Sequence, residues 1–340
     1  MAKVTPKRIL LCRTDSIGDV ILTLPVASLL KQRYPNATIL FLGNSYTADI
    51  VSCCLDVDIF IAWNEIKQLP FEEQTKRIRS LNVDTAIHIF PQKDIARLLK
   101  AAKVPQRYGT NHRLYNWLTC NHLVNLSRKN SPLHEAQLNI SLCRDLLGPI
   151  IPTLQEISQH LVLHPAPLRQ KLSDLLNPNR FNLILHPKSK GSAREWGVDN
   201  YRKLIEMLPK DKFKIFITGT QAEGNILRDG LLEPYHRHVT DLTGMLTLSE
   251  LISFISKCDG LIAASTGPLH IAAATKIHAI GIYPPIRPMH PGRWSPIGNK
   301  VKVFVKDKEC NECKKSRICR CISEIMPETI HQYLLSIISQ

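Results

Sequence analysis

The sequence predicts an α/β protein built from two consecutive, doubly wound, Rossmann-like halves, and three observations predict it. Apolar runs of strand length alternate with helix-length amphipathic stretches along both halves, the pattern of parallel sheets covered on both faces. The alternation lapses once, in a segment without clear periodicity that carries Pro149, Pro152, Pro165 and Pro167, and then restarts. The first apolar run, Ile9 to Cys12, leads directly into Arg13-Thr14-Asp15-Ser16-Ile17-Gly18-Asp19. A glycine-containing turn of this kind lies at the carboxyl edge of the sheet, where open α/β folds bind ligands. The expected division is 1–165, 166–325 and a C-terminal helix over 326–340, with a cleft between the two larger parts.

Taken in order, the first half reads as a strand over Arg8 to Cys12, a helix from about Asp19 to Arg33 kinked at Pro25, a strand over Thr38 to Leu42, a helix through Val51 and a strand over Asp84 to Ile89. Asp56-Val57-Asp58 reads as a solvated strand entry, because nothing around it supports metal binding. From Gln92 to Val104, Lys93, Arg97 and Lys100 recur at helical spacing on one face, and Ile95, Leu98, Leu99 and Ala102 occupy the other. In the second half, Phe181 to Leu185 is a strand, Tyr201, Leu204, Ile205 and Leu208 form a helical apolar stripe, and Phe213 to Thr218 is the next strand. Thr247 and Glu250 make a capping box before a helix. Gly260 to Ala264 is a strand, Pro268 opens the helix after Gly267, and Lys276 to Tyr283 returns to strand. Ile330, Tyr333, Leu334, Ile337 and Ile338 form an amphipathic helix after Pro327.

A chain of 340 residues with 44% hydrophobic content can bury a sizeable core. No apolar run approaches the ~20 residues that span a bilayer, and the four-residue run before Arg13 is too short for a signal peptide. A cytoplasmic protein is expected. The ten cysteines do not form the pattern of a secreted disulfide framework. The formal charge of +15 favours anionic partners: nucleic acid, phosphorylated sugars or acidic membrane surfaces. Between Lys93 and Lys129 there are eight Lys or Arg against the single acid Asp94, with Tyr108, Tyr115 and Trp117 interleaved. No pattern of a common nucleic-acid module accompanies them, so nucleic acid is not expected as a partner.

Neither G-x-G-x-x-G after a strand nor G-x-x-x-x-G-K-[ST] is present, which disfavours a dehydrogenase or a P-loop nucleotidase. Lys188, Lys190 and Arg194 instead place positive charge around Gly191 just after a strand. Thr266-Gly267-Pro268 opens a helix whose free amides carry the positive end of its dipole. Cations and free amides at sheet edges are the two ingredients for holding a diphosphate.

The Gly18-Asp19 turn, the segment His186-Pro187-Lys188 through Arg194-Glu195-Trp196, and Ser265-Thr266-Gly267-Pro268-Leu269-His270 resemble, in order and spacing, the motifs of the bacterial heptosyltransferase family, over roughly residues 8 to 330. The resemblance implies the GT-B fold, an ADP-heptose donor and a lipopolysaccharide inner-core acceptor, a Kdo- or heptose-bearing lipid A. It implies single-displacement, inverting transfer with Asp19 as base and no metal or other cofactor. The first domain would bind acceptor and the second the nucleotide sugar, and the C-terminal helix would return to the first domain. Arg194 matches the basic residue that contacts the donor phosphates. Lys188, Lys190, Thr266 and Gly267 would share that task, Gln221 and Glu223 are candidates for the ribose, and His270 is a wall residue. Arg13, Ser16, Gly18, Lys93, Arg97 and Lys100 form the expected acceptor side, where an anionic glycolipid would also hold the enzyme peripherally at the inner leaflet. No oligomeric state is implied.

Many relatives have an acidic residue where this chain has Ser265, which opens a near alternative: another nucleotide sugar or envelope glycan. A more remote one is a non-catalytic basic protein that binds RNA or membranes on a degenerate enzyme fold. Cys310, Cys313, Cys319 and Cys321 could form a four-thiolate zinc site, but one residue between the last two is tight for such a site. Free thiols are the expected state.

Overall fold

A computed structural model describes residues 5–129, 131–286, 289–306 and 320–339. The chain divides into two compact units, Met1–His164 and Pro165–Gln340.

The first unit holds six parallel strands: β1 Arg8–Cys12, β2 Thr38–Gly43, β3 Ile59–Ala62, β4 Thr85–Ile87, β5 Gln106–Thr110 and β6 His122–Val124. Their order across the sheet is β3-β2-β1-β4-β5-β6. Leu10 of β1 stands between Leu40 and Ala86 on its two neighbours, and Ile9 to Cys12 are fully buried. An unbroken apolar run is what a central strand with helices on both faces requires. The second unit repeats the plan with β7 Phe181–His186, β8 Phe213–Ile217, β9 Val239–Asp241, β10 Gly260–Ala264, β11 His278–Tyr283 and β12 Val301–Val305. Its order is β12-β11-β10-β7-β8-β9, the same winding read from the other edge. In each sheet the direction of winding reverses once, between β1 and β4 and between β7 and β10.

Three helix boundaries show how local chemistry sets the geometry. The helix expected from Asp19 to Arg33 is two helices, Ile17–Ile21 and Leu24–Arg33. Pro25 lies in the first turn of the second helix, where its missing N–H costs nothing, so it starts a helix rather than kinking one. Thr247 caps the helix Leu248–Ile255 as its spacing predicts, with Glu250 returning to the Thr247 amide at 2.9 Å. Thr220 and Glu223 make an equivalent box at the start of Gln221–Leu227.

Trp196 is fully buried, meets Tyr201 edge to face at 5.0 Å and donates its indole N–H to the Ile325 carbonyl at 2.8 Å. The C-terminal helix Pro327–Ile338 buries Ile330 and Leu334 in this same second core. Among the described residues, no helix is long and apolar enough to cross a membrane.

Candidate active site

Many of the residues singled out from sequence fall at the two reversals of winding, whereas Lys93, Arg97 and Lys100 run along the helix after β4 and Gln221 and Glu223 follow β8. In the first unit β1 ends at Cys12, and the Arg13 amide is still tied to Leu42 at 3.0 Å. The side chain of Arg13 then turns inward and is only 2% exposed. Its Nε donates to Asp15 Oδ1 at 2.6 Å, Nη2 donates to Asp19 Oδ1, and Nη1 donates to Glu135 Oε1 at 3.0 Å and to Asn139 Oδ1 at 3.3 Å. Arg128 meets the same Glu135 oxygen at 3.0 Å. Ser16 Oγ donates to the other oxygen of Asp19. Asp19, in the first turn of Ile17–Ile21, is thereby gripped at both oxygens, yet its side chain remains 17% exposed.

Arg13 is therefore not on the surface where an acceptor would meet it. Its charge is engaged by three carboxylates, and the residue holds Asp19 rather than presenting a free cation. Gly18 is buried beside it. Burial pushes Asp15 up to about 6, against the pull of the adjacent Arg13. Two neighbours that sequence reading did not single out brace the turn: Asn44 donates to the Thr14 carbonyl at 2.7 Å and Gln92 to the Thr14 hydroxyl at 2.6 Å. Only the fold reveals them, because they arrive on the loops after β2 and β4.

The basic stretch divides in two. Lys93, Arg97 and Lys100 are exposed along the helix Lys93–Ala101, whose buried face is Ile95, Ala96, Leu98 and Leu99. Arg107 donates to the Thr119 and Val104 carbonyls, so it ties β5 to the following helix.

In the second unit the loop after β7 passes through left-handed backbone at Lys190 (φ 49°) and Gly191 (φ 79°). Glu195, missed from sequence, organises this loop: it pairs with Lys188 and accepts from the Ser189 amide and hydroxyl, each at 3.0 Å. Glu223 clasps the loop from the other side. Its Oε1 accepts the Lys190 amide at 3.1 Å while Oε2 accepts the Thr220 amide at 2.8 Å. Burial pushes the Glu223 carboxyl up, but the bonds from Thr220, the nearby His186 and the Lys190 amide outweigh it and leave it below the ordinary value. Gln221, by contrast, is exposed. Lys190 is exposed and Arg194 half-buried in the same loop.

Across the reversal, Thr266 stands at the N-cap of Gly267–Ala274 without a side-chain bond to the helix. Its hydroxyl is buried and has no partner among the described residues. Ser265 is half-buried just after β10, and the buried Tyr283 hydroxyl of β11 donates to the Trp294 carbonyl at 2.8 Å. His270 is buried one turn into the helix. His186 shares a 3.0 Å bond with Thr218, and burial lowers it to about 4, so it is neutral near pH 7. Cys310, Cys313 and Cys319 lie outside the described residues, and Cys321 is buried.

Two doubly wound parallel six-stranded sheets of this order match the GT-B fold of glycosyltransferases. The family model described as glycosyltransferase family 9 (heptosyltransferase) matches residues 73–321, and the chain belongs to that family. A Haemophilus influenzae protein provisionally named a glycosyltransferase is 25% identical over 87% of this chain and 88% of its own. Lipopolysaccharide heptosyltransferase 3 of Escherichia coli K12 is 24% identical over 78% of this chain and 79% of its own. Among solved structures, Escherichia coli ADP-heptose lipopolysaccharide heptosyltransferase II superposes with a TM-score of 0.78 at 20% identity, covering 98% of this chain and 99% of that one. Escherichia coli heptosyltransferase WaaC with ADP gives 0.71 at 18% identity, covering 97% and 99%.

Proposed function

We propose that this enzyme transfers heptose from ADP-heptose to the lipopolysaccharide inner core, a Kdo- or heptose-bearing lipid A, with inversion at the anomeric carbon. The observation that carries the reading is Asp19, gripped by Arg13 and Ser16 at the edge of β1 and still open to solvent on one side. Asp19 takes the proton of the attacking acceptor hydroxyl as that oxygen bonds to the anomeric carbon and the bond to the diphosphate breaks. Lys190, Arg194, the Thr266 hydroxyl and the first amides of Gly267–Ala274 receive the charge of the departing ADP. These groups supply that stabilisation without a metal. Relatives named for ADP-heptose and lipopolysaccharide support the donor and acceptor classes. The exposed Lys93, Arg97 and Lys100 suit the anionic acceptor, and support a reading in which the enzyme works peripherally at the cytoplasmic face of the inner membrane.

One observation favours a second reading. Ser265 offers a hydroxyl just before Thr266-Gly267, where the family resemblance implies an acid for donor-sugar hydroxyls. A family member that has moved to another nucleotide sugar or envelope glycan would show this change.

The test is transfer from ADP-heptose to heptose-deficient Kdo-lipid A, followed by mass spectrometry in excess chelator, with unaltered protein and Asp19→Ala. A one-heptose gain that survives chelator and disappears in the variant is expected. ADP binding without transfer to this or a heptosylated acceptor would favour the Ser265 reading, and failure to bind any nucleoside diphosphate would overturn both.

A further inference from the structure

The helix Leu114–Thr119 is oriented against its own amphipathic pattern. Leu114, Trp117 and Leu118 share one face by their i, i+3, i+4 spacing, which ordinarily marks the side that packs inward. Here they are 89%, 60% and 74% exposed, while Asn116 and Thr119 are buried. Asn116 fixes this orientation. Its Nδ2 donates to the Thr110 carbonyl at 2.8 Å, and it lies so close to Gly109 that a Cβ there would stand 2.9 Å from Nδ2. The Trp117 indole N–H is bonded to the Asn111 carbonyl at 2.9 Å, so the ring's polar atom is satisfied and its apolar surface faces out.

Cations flank the patch. Arg113 precedes the helix and is exposed, and Lys100, on the adjoining helix Lys93–Ala101, donates to the Leu118 carbonyl at 2.8 Å. Arg97 and Lys93 continue the same exposed face one and two turns back. A cluster of Leu and Trp bordered by Lys and Arg is the composition of an interfacial membrane anchor, with the rings and alkyl chains at the acyl boundary and the cations among headgroups.

We propose that Leu114, Trp117 and Leu118 insert into the surface of an anionic bilayer while Arg113, Lys100 and Arg97 engage its headgroups. A second copy of this chain is a poorer occupant, because a two-fold contact through the patch would set like cations against one another. The proposal deepens the reading of a lipid-borne acceptor and rests on it, but the surface can be tested without acceptor.

Full-length protein is floated with vesicles of phosphatidylcholine alone or with phosphatidylglycerol added. Binding is expected only with the anionic lipid, weakened by high salt, and accompanied by a blue shift of tryptophan emission. Trp117→Phe removes that shift and keeps most binding. Leu114→Ser, Trp117→Ser and Leu118→Ser combined should lower vesicle partitioning by about tenfold or more, with an unchanged melting temperature and unchanged transfer to a water-soluble, delipidated acceptor. Equal binding by the unaltered and triple-variant proteins, or no binding by either, would overturn the proposal. So would a dimer that the triple variant dissociates while vesicle binding persists, which would assign the patch to a second copy. Vesicle binding without transfer to the soluble acceptor would sink the reaction and leave the surface standing; transfer without vesicle binding would do the reverse.

Discussion

The Arg13 guanidinium meets three carboxylates, and Arg128 joins it at one of them. Among the described residues two cations face three acids in these ion pairs, and Asp15 is the acid whose burial raises it, to about 6. An acid whose folded pKa lies above its ordinary 3.8 favours the proton in the folded state. Its contribution to stability is complete below pH 3.8 and is lost as the pH rises through 6. Urea unfolding of the unaltered protein and Asp15→Asn should therefore show the difference moving in the variant's favour between pH 4 and pH 7; a constant offset would refute the assignment. Asp19 was legible in the sequence because strand, glycine turn and acid are neighbours in the chain. The inward turn of Arg13 was not, since its partners Glu135 and Asn139 stand 122 and 126 residues away.

At the scale of elements, the central strands were readable because doubly covered strands are continuous apolar runs. The edge strands were harder. β5 includes Arg107 and Gly109 and β6 is three residues long, so neither carries a clear periodic signal. The helix Leu114–Thr119 defeats the pattern outright, because a local polar anchor overrides its apolar face. Glu223 was noticed for its place after β8, as a candidate sugar contact. Its oxygens instead cap one helix and hold the Lys190 amide of the neighbouring loop. Glu223→Ala removes both attachments, the return bond of the capping box to the Thr220 amide and the hold on the Lys190 amide. Calorimetric titration should show ADP affinity weakened about fivefold or more, with partial recovery in Glu223→Gln, which keeps an acceptor oxygen. Unchanged affinity would mean that the loop holds its shape without the clasp.

On the scale of the whole molecule, each unit has its own sheet and apolar core. The proposed phosphate cradle belongs entirely to the second. ADP at a hundredfold excess over its dissociation constant should stabilise the state that binds it by about 2.7 kcal/mol. Hydrogen exchange should register this mainly as slower exchange in the loop 187–196 and at the start of Gly267–Ala274. Equal slowing throughout the first sheet would argue against a cradle confined to the second unit. Sequence alone gave the two windings, through their repeated alternation and the proline-marked passage.

The bond from Arg13 to Glu135 joins the beginning of the first unit to its last third. Long-range closures of this kind form late, after local helices and neighbouring strands have paid most of the entropic cost of ordering the chain. A nascent chain that has made β1 but has not yet delivered the helix Glu135–Ser141 has the proposed base, Asp19, without the full support of Arg13. The bonded arrangement around Asp19 is thus withheld until nearly the whole first unit has been synthesised and closed, and a truncated product carries the motif without it.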